Sequence, residues 1–260
     1  MLLCPQKYAY SYAMGEKRRE PKSAPFLGTL VHQGLAHLYL HMGLLQRGKH
    51  GGGGYERWSK AVARHATESD EGKLFTPPQQ EELASHALKI LRAYVNQYAD
   101  ADMQQLEILK VEHEIKVQID GELYTQRADL IVRSRRDKKV YIWDHKTAGG
   151  FGLSYGAQQY TLSGQILGLD YLGTELYGAD FGGVLLNMIS TKRNDFERVF
   201  AGAAPDSRKR WLDTLRYARE RIKALSDRDP LDYPRTLDPT VCYAYGGCDY
   251  FDQCRWGGES

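Results

Sequence analysis

Two carboxylates and an amine near the middle of this chain are spaced for phosphodiester chemistry. Gln126-Arg127-Ala128-Asp129-Leu130-Ile131-Val132 is followed by Val140-Tyr141-Ile142-Trp143-Asp144-His145-Lys146-Thr147. Both runs are apolar and β-rich, and a charged turn from Arg133 to Lys139 joins them. In a strand, residues i and i+2 point to the same side. Asp144 and Lys146 therefore project together, and a bent hairpin can bring Asp129 beside them. Two carboxylates can hold a hard divalent cation such as Mg²⁺, which takes oxygen ligands. A lysine alongside can activate a water or stabilise charge on a phosphate. Metal-dependent phosphodiester cleavage needs such a set. The plainer reading is a surface hairpin with an Asp144–Lys146 salt bridge.

The Asp…Asp-x-Lys pattern on consecutive expected strands resembles the PD-(D/E)xK nuclease superfamily. It is most similar to the RecB-like exonuclease branch, which includes CRISPR-adaptation nucleases and many phage exonucleases. Ala128 stands where the family name has proline. The resemblance implies an α/β fold of restriction-endonuclease-like form, with a central mixed β-sheet flanked by helices. Strand alternation turns the His145 side chain away from Asp144 and Lys146, and the resemblance implies that its backbone carbonyl ligates a metal.

Three further segments match in the order the branch uses. Gly28-Thr29-Leu30-Val31-His32 opens an amphipathic helix whose buried face is marked by Leu27, Leu30, Val31, Leu35, Leu38, Met42 and Leu45. His32 lies at the edge of that face, and an imidazole can complete a site that two carboxylates begin. The branch's Gly-x-x-x-His helix implies that His32 is a metal ligand. His37 and His41 share the helix without that context. After the lysine, Gln165-Ile166-Leu167-Gly168-Leu169 resembles the branch's Gln-x-x-x-Tyr helix. The resemblance implies that Gln165 contacts the active site or the nucleic-acid backbone. Leu169 replaces the tyrosine, and Gln158, Gln159 and Tyr160 lie one or two turns earlier as substitutes.

The chain has four cysteines: Cys4 near the start, and Cys242, Cys248 and Cys254 near the end. Four thiolates suit a [4Fe–4S] cluster or zinc. In iron–sulfur members of the branch, one cysteine opens the nuclease domain and three close it. The resemblance thus implies a cluster that joins the N- and C-termini. Both C-terminal gaps here are five residues, in place of the common Cys-x-x-Cys, a form associated with phage-type members. Zn²⁺ remains the alternative. Two disulfides are disfavoured, because Met1-Leu2-Leu3 is too short for a signal-peptide core.

These motifs span nearly the whole chain, and the elements that must position them can be read coarsely. The expected organisation is a single nuclease domain over 1–260. Its parts are a helical region over about 1–104, the nuclease core over about 105–200, and a C-terminal helix with the cysteine segment over about 205–260. Residues 48–54 form a glycine-rich break. Helices are expected over 55–67 and 78–99, with Pro77-Pro78 marking the second start. Strands follow at 106–118, 123–133 and 139–145, then a helix over 156–177. Strands at 183–191 and 196–200 and a helix over 205–226 complete the order. Glu112 and Glu114, at spacing two, face one side of the first strand. Either one of them supports the metal site from the neighbouring strand, or both lie on an exposed strand face.

Bulk properties leave the function class open. Hydrophobic residues at 42% and charged residues at 26% describe an ordinary soluble globular chain. A net charge of +2 neither demands nor excludes nucleic acid. Basic residues gather at Arg133–Lys139, at Lys192-Arg193 and along Arg208–Lys223, and the 18 tyrosines offer stacking partners for single-stranded bases. No apolar run approaches the roughly 20 residues that span a bilayer.

The expectation is a Mg²⁺- or Mn²⁺-dependent deoxyribonuclease acting as an exonuclease, in the cytosol of a bacterium or a phage-infected host. Its substrate would be DNA that is single-stranded or has free ends, with a helicase or recombinase as partner and no membrane contact. The alternative is a non-catalytic nucleic-acid-binding or accessory subunit that retains the nuclease fold. A zinc-stapled structural protein is the third reading.

Overall fold

A computed structural model describes residues 4–16, 21–49, 54–150, 152–243 and 247–256. The Met1-Leu2-Leu3 start and residues 50–53 of the glycine-rich break lie outside the described residues. In chain order the elements are α1 (Pro5–Tyr8), running into a π-helical turn at Ala9–Ala13, then α2 (Ser23–Gln46), α3 (Gly54–Glu68) and α4 (Pro77–Gln105). There follow β1 (Leu106–Ile119), β2 (Glu122–Ser134), β3 (Val140–Ala148), α5 (Leu153–Thr161), α6 (Gly164–Tyr177), β4 (Phe181–Ser190) and β5 (Phe196–Phe200). The last elements are α7 (Pro205–Leu225), α8 (Pro239–Tyr243) and α9 (Phe251–Trp256). The chain divides into two compact units, Lys22–Arg208 and Met1–Pro21 with Lys209–Ser260.

In the first unit the strands form one mixed sheet in the order β1-β2-β3-β4-β5. β3 and β4 are parallel, and the other neighbours are antiparallel. The parallel pair needs a crossover, and α5 with α6 supplies it. The β1–β2 hairpin turns at Asp120-Gly121, both at positive φ (54° and 80°), the Asp-Gly signature of a tight hairpin.

Each sheet face buries its own apolar cluster. On one face Leu130, Val132, Trp143 and Ile189 pack with α2, α3 and α4 through Leu30, Leu35, Val62 and Ile90. On the other, Ile131, Ile142, Val184 and Leu186 pack with α5 and α6 through Ala157, Ile166 and Leu169. Helices thus cover both faces of the sheet, as expected for this fold class.

Element bounds differ most from expectation in three places. The His32 helix starts at Ser23, because Pro25 sits in the first turn, where a missing N–H costs nothing. α4 starts on a Thr76–Gln79 capping box and runs to Gln105 rather than 99. Its last turns are held by Asp102, which is buried and paired with Arg198. The single helix expected over 156–177 is two helices. Ser163 caps the second by accepting the Ile166 N–H, and a serine side chain offers that bond only outside the helix.

The second unit joins the two chain ends. Gln6 N–H donates to the Pro234 carbonyl at 3.1 Å and Gln6 Nε2 to the Pro230 carbonyl at 3.1 Å. Tyr250 donates its hydroxyl to the Glu16 carbonyl at 2.9 Å. Ala9, Leu225 and Tyr233 form a small core there.

Candidate active site

The β2–β3 ladder stops at the pair Leu130 and Trp143. The next residues in that register would be Asp129 and Asp144, and there the strands separate. Beyond that point β2 continues with β1 alone, and β3 continues with β4. The two carboxylates therefore flank the mouth of the split. Asp129 stays tied across it, because its Oδ2 accepts the His145 N–H at 2.6 Å.

Asp144 and Lys146 project together, as their spacing requires, with Lys146 Nζ 2.7 Å from Asp144 Oδ2. Gln165, in the first turn of α6, bridges them. Its Nε2 donates to Asp144 Oδ1 at 2.8 Å, and its Oε1 accepts from Lys146 Nζ at 2.8 Å. The Lys146 ammonium also lies 5.4 Å from the centre of the Tyr160 ring. Tyr160 on α5 thus reaches the lysine, while Leu169 is buried in the core. His32, on α2, approaches from the opposite face, with Nδ1 3.6 Å from Asp129 Oδ2. Gly28 permits the approach: a Cβ there would lie 2.7 Å from Thr147 Oγ1.

His145 turns its side chain away from Asp144, into the α2–α4 side of the sheet. Asn187, its partner on β4, donates Nδ2 to His145 Nδ1 at 2.9 Å. With Nδ1 accepting, the ring proton belongs on Nε2. Asn187 also donates to the Tyr94 hydroxyl at 2.9 Å. Tyr94, Tyr39 and Asp102 continue the network to Arg198 on β5, whose guanidinium grips Asp102 at 2.6 and 2.7 Å. Tyr39 is two turns from His32 on α2, so this buried network fixes the helix bearing His32 to the strand bearing Asp144. Sequence reasoning missed all of it. The only local signal is one asparagine inside the apolar run Val184-Leu185-Leu186-Asn187-Met188-Ile189.

Burial dominates the protonation of the site. It raises the Asp144 carboxyl to about 6, with the Lys146 charge opposing and the Asp129 charge adding. Asp129 is likewise raised by burial, against the His145 N–H and Lys146. His32 is lowered by burial, which leaves its imidazole neutral and able to ligate. Glu112, read above as either support or exposed strand face, belongs to this site. Donor atoms of His32, Glu112 and Asp129 lie within 4.8 Å of one another. Burial and then the Asp129 charge raise Glu112 to about 7. Glu114 is on the exposed face, paired with Lys116 at 2.7 Å. A neutral imidazole among carboxylates whose burial disfavours their charge fits a hard divalent cation.

All four cysteines line one cavity of about 330 Å³ in the unit formed by the chain ends, together with Gln6, Tyr10 and Arg235. They are free thiols. Cys254 is raised by burial first, against Arg235, and its electrostatic neighbours include Cys4, Cys248 and Cys242. The local backbone converges on them: Cys4 caps α1, and Cys248 N–H donates to the Cys242 carbonyl at 2.7 Å.

The family model of the PD-(D/E)XK nuclease superfamily matches residues 1–255. The chain belongs to that superfamily. Its five-stranded mixed sheet with helices on both faces is the restriction-endonuclease-like core, and the acidic group at its strand split suits the divalent metals these nucleases use. Among curated proteins, none matches the chain. Similar solved structures include a "Putative exonuclease" from Eubacterium rectale, 11% identical, with a TM-score of 0.48 over 92% of this chain and 86% of that one. SSO0001 is 13% identical, with a TM-score of 0.33 over 75% of this chain and 80% of that one. No helix among the described residues is long and apolar enough to cross a membrane.

Proposed function

We propose that this chain is a Mg²⁺- or Mn²⁺-dependent deoxyribonuclease of the RecB-like branch, acting as an exonuclease on DNA ends. The observation that carries the reading is the Asp144–Lys146–Gln165 set, closed at 2.7 to 2.8 Å beside Asp129 and His32. His32, Asp129, Asp144 and the His145 carbonyl are the groups that would hold the metal. When bound, the cation supplies charge neutralisation at the scissile phosphate and eases deprotonation of the attacking water.

The chain's own residues do the rest. Lys146, steered by Gln165 and Asp144, presents its ammonium where negative charge builds on the phosphate oxygens. The water gives up a proton to solvent as its oxygen forms a bond to phosphorus, the bond from phosphorus to the leaving sugar oxygen breaks, and that oxygen takes a proton from solvent. Gln165 and its strand-facing helix keep the lysine aligned through the displacement. Phosphate contacts through the basic stretch Arg133–Lys139 would make binding fall with salt.

The four-cysteine cavity is the site of a [4Fe–4S] cluster on this reading, with Zn²⁺ as the other metal its soft donors fit. Iron and sulfide analysis of anaerobically purified protein tests it. About four irons per chain, lost in Cys248→Ser, support the cluster, and one zinc with no iron replaces it.

The activity test uses end-labelled single- and double-stranded linear DNA beside a closed circle, in Mg²⁺, Mn²⁺ or EDTA, with Lys146→Ala as control. Metal-dependent loss of linear DNA alone, abolished in the variant, is expected. Absence of cleavage with DNA binding retained would favour the accessory-subunit reading instead.

A further inference from the structure

A cavity of about 400 Å³ lies where β4 begins and β5 ends, a volume within the range that holds small ligands. Gly183 on its wall is five residues before Met188, the partner of Lys146, so the cavity is about 16 Å along β4 from the catalytic lysine. Nothing in the proposed cleavage uses it.

Phe200 closes β5 and lines this cavity while 60% exposed. Two glycines seat its ring: a Cβ on Gly183 would lie 2.6 Å from it, and one on Gly202 would lie 2.4 Å from it. Gly183 has φ 122°, and the β3–β4 register shifts beside it. Glycine weakens a strand and often marks a bulge or a place where a ligand comes close. Core packing does not account for the arrangement, because the ring it seats is mostly in solvent. Phe181, stacked on Tyr177 with ring centres 6.5 Å apart, adds a second aromatic wall.

Arg208 supplies a polar edge. Its Nη1 donates to buried Asp170 at 2.9 Å and to the Ala203 carbonyl at 3.1 Å. Among the described residues its Nε and Nη2 have no protein acceptor. The ion pair with Asp170 offsets the guanidinium charge, so the remaining donors suit neutral acceptors better than a phosphate.

We infer that this cavity binds a nucleobase, stacked on Phe200 and hydrogen-bonded along its edge to Arg208. Stacking on an aromatic ring accepts any base. Arginine adds a preference, because its planar fork matches two adjacent acceptors such as guanine O6 and N7. The ligand is therefore a guanine nucleotide, either free or as one unit of a single strand.

The site needs neither metal nor cleavage, so calorimetric titration of the full chain in EDTA tests it apart from the nuclease reading. The probes are dGMP and dTMP, and the single-stranded trinucleotides TGT and TTT. A guanine probe should bind about tenfold or more tighter than its thymine counterpart. Binding of dGMP assigns a free nucleotide, and binding of TGT alone assigns a strand. Phe200→Leu changes an exposed side chain and should weaken the guanine probe about tenfold or more. Gly202→Ala, which crowds the ring without touching Arg208, should weaken it too, with melting curves checking that both variants are folded. Arg208→Lys should remove the guanine preference. No binding by any probe, equal binding of guanine and thymine, or guanine binding unchanged in Phe200→Leu overturns the site and leaves the nuclease reading as it stands.

Discussion

Replacing Asp144 with asparagine should stabilise the metal-free protein, and the gain should grow with pH. The Asp144 side chain is 2% exposed, and burial lifts its carboxyl from an ordinary 3.8 to about 6. A group whose folded pKa is raised contributes full stability below its unfolded pKa and loses it as pH rises through the folded one. The relevant window therefore runs from about pH 4 to about pH 6. At about 1.4 kcal/mol per pKa unit, the full loss is about 3 kcal/mol, with about 1 kcal/mol of it already present at pH 4.5. The asparagine side chain cannot ionise and keeps an oxygen for the Gln165 amide, so the Asp144→Asn variant avoids this loss. Its advantage over wild type should widen by about 2 kcal/mol between pH 4.5 and pH 8, measured by urea denaturation in EDTA. The corresponding rise in melting temperature at pH 8, relative to the low-pH difference, is several degrees for a chain of this size. Taking the difference between the two proteins cancels the histidines, whose burial works in the opposite pH direction. A difference that stays flat or shrinks as pH rises would show that Asp144 is not held under a burial penalty.

Two other perturbations probe how the site is held. Gly28→Ala puts a Cβ 2.7 Å from Thr147 Oγ1, one helical turn before His32, and misplacement near 1 Å can cost about a hundredfold in rate. Weaker Mn²⁺ binding and slower cleavage are expected, with recovery in Gly28→Ala/Thr147→Ala; failure of that rescue would refute the steric cause. Asp102→Ala strands the Arg198 guanidinium, which is mostly buried against Tyr98 and Trp143 at 3.7 and 4.5 Å. Breaking such a pair from one side costs about 3–5 kcal/mol, readable as a shift in the denaturant midpoint, whereas a change under about 1 kcal/mol would mean the pair is solvated.

The sequence offers the basic stretches and the tyrosines as phosphate and base contacts. The structure separates some of them. Tyr39 and Tyr94 are wholly buried and belong to the network under the site, so they cannot stack on bases. Tyr155 remains exposed on α5, the helix that also carries Tyr160 to Lys146. Arg208, placed in a basic run by sequence, is paired with buried Asp170 at 2.9 Å, so it stabilises the fold instead of offering a free cation.

The sequence by itself determined the elements and the local geometry of the site, because those follow from short periods. Strand alternation puts Asp144 and Lys146 on one side, helical spacing puts His32 near the buried face of α2, and cysteine position puts one thiol at the start and three near the end. What it left open depends on contacts far apart in the chain. The split of β2 from β3 after Leu130 and Trp143 is set by how each strand pairs with its other neighbour, and pairing is not encoded locally. The break at Ser163 was masked because Leu162 to Gly164 interrupts an otherwise continuous helical pattern by one capping bond. Glu112 looked like half of an exposed pair because alternation assumes an ordinary strand backbone, and its positive φ breaks that assumption. The network from His145 through Asn187, Tyr94, Tyr39 and Asp102 to Arg198 joins residues as far as 159 positions apart. Apart from Asn187 in its apolar run, each of those side chains reads alone as an ordinary polar group, and only the closed sheet with α2 and α4 against it buries them and bonds them to one another.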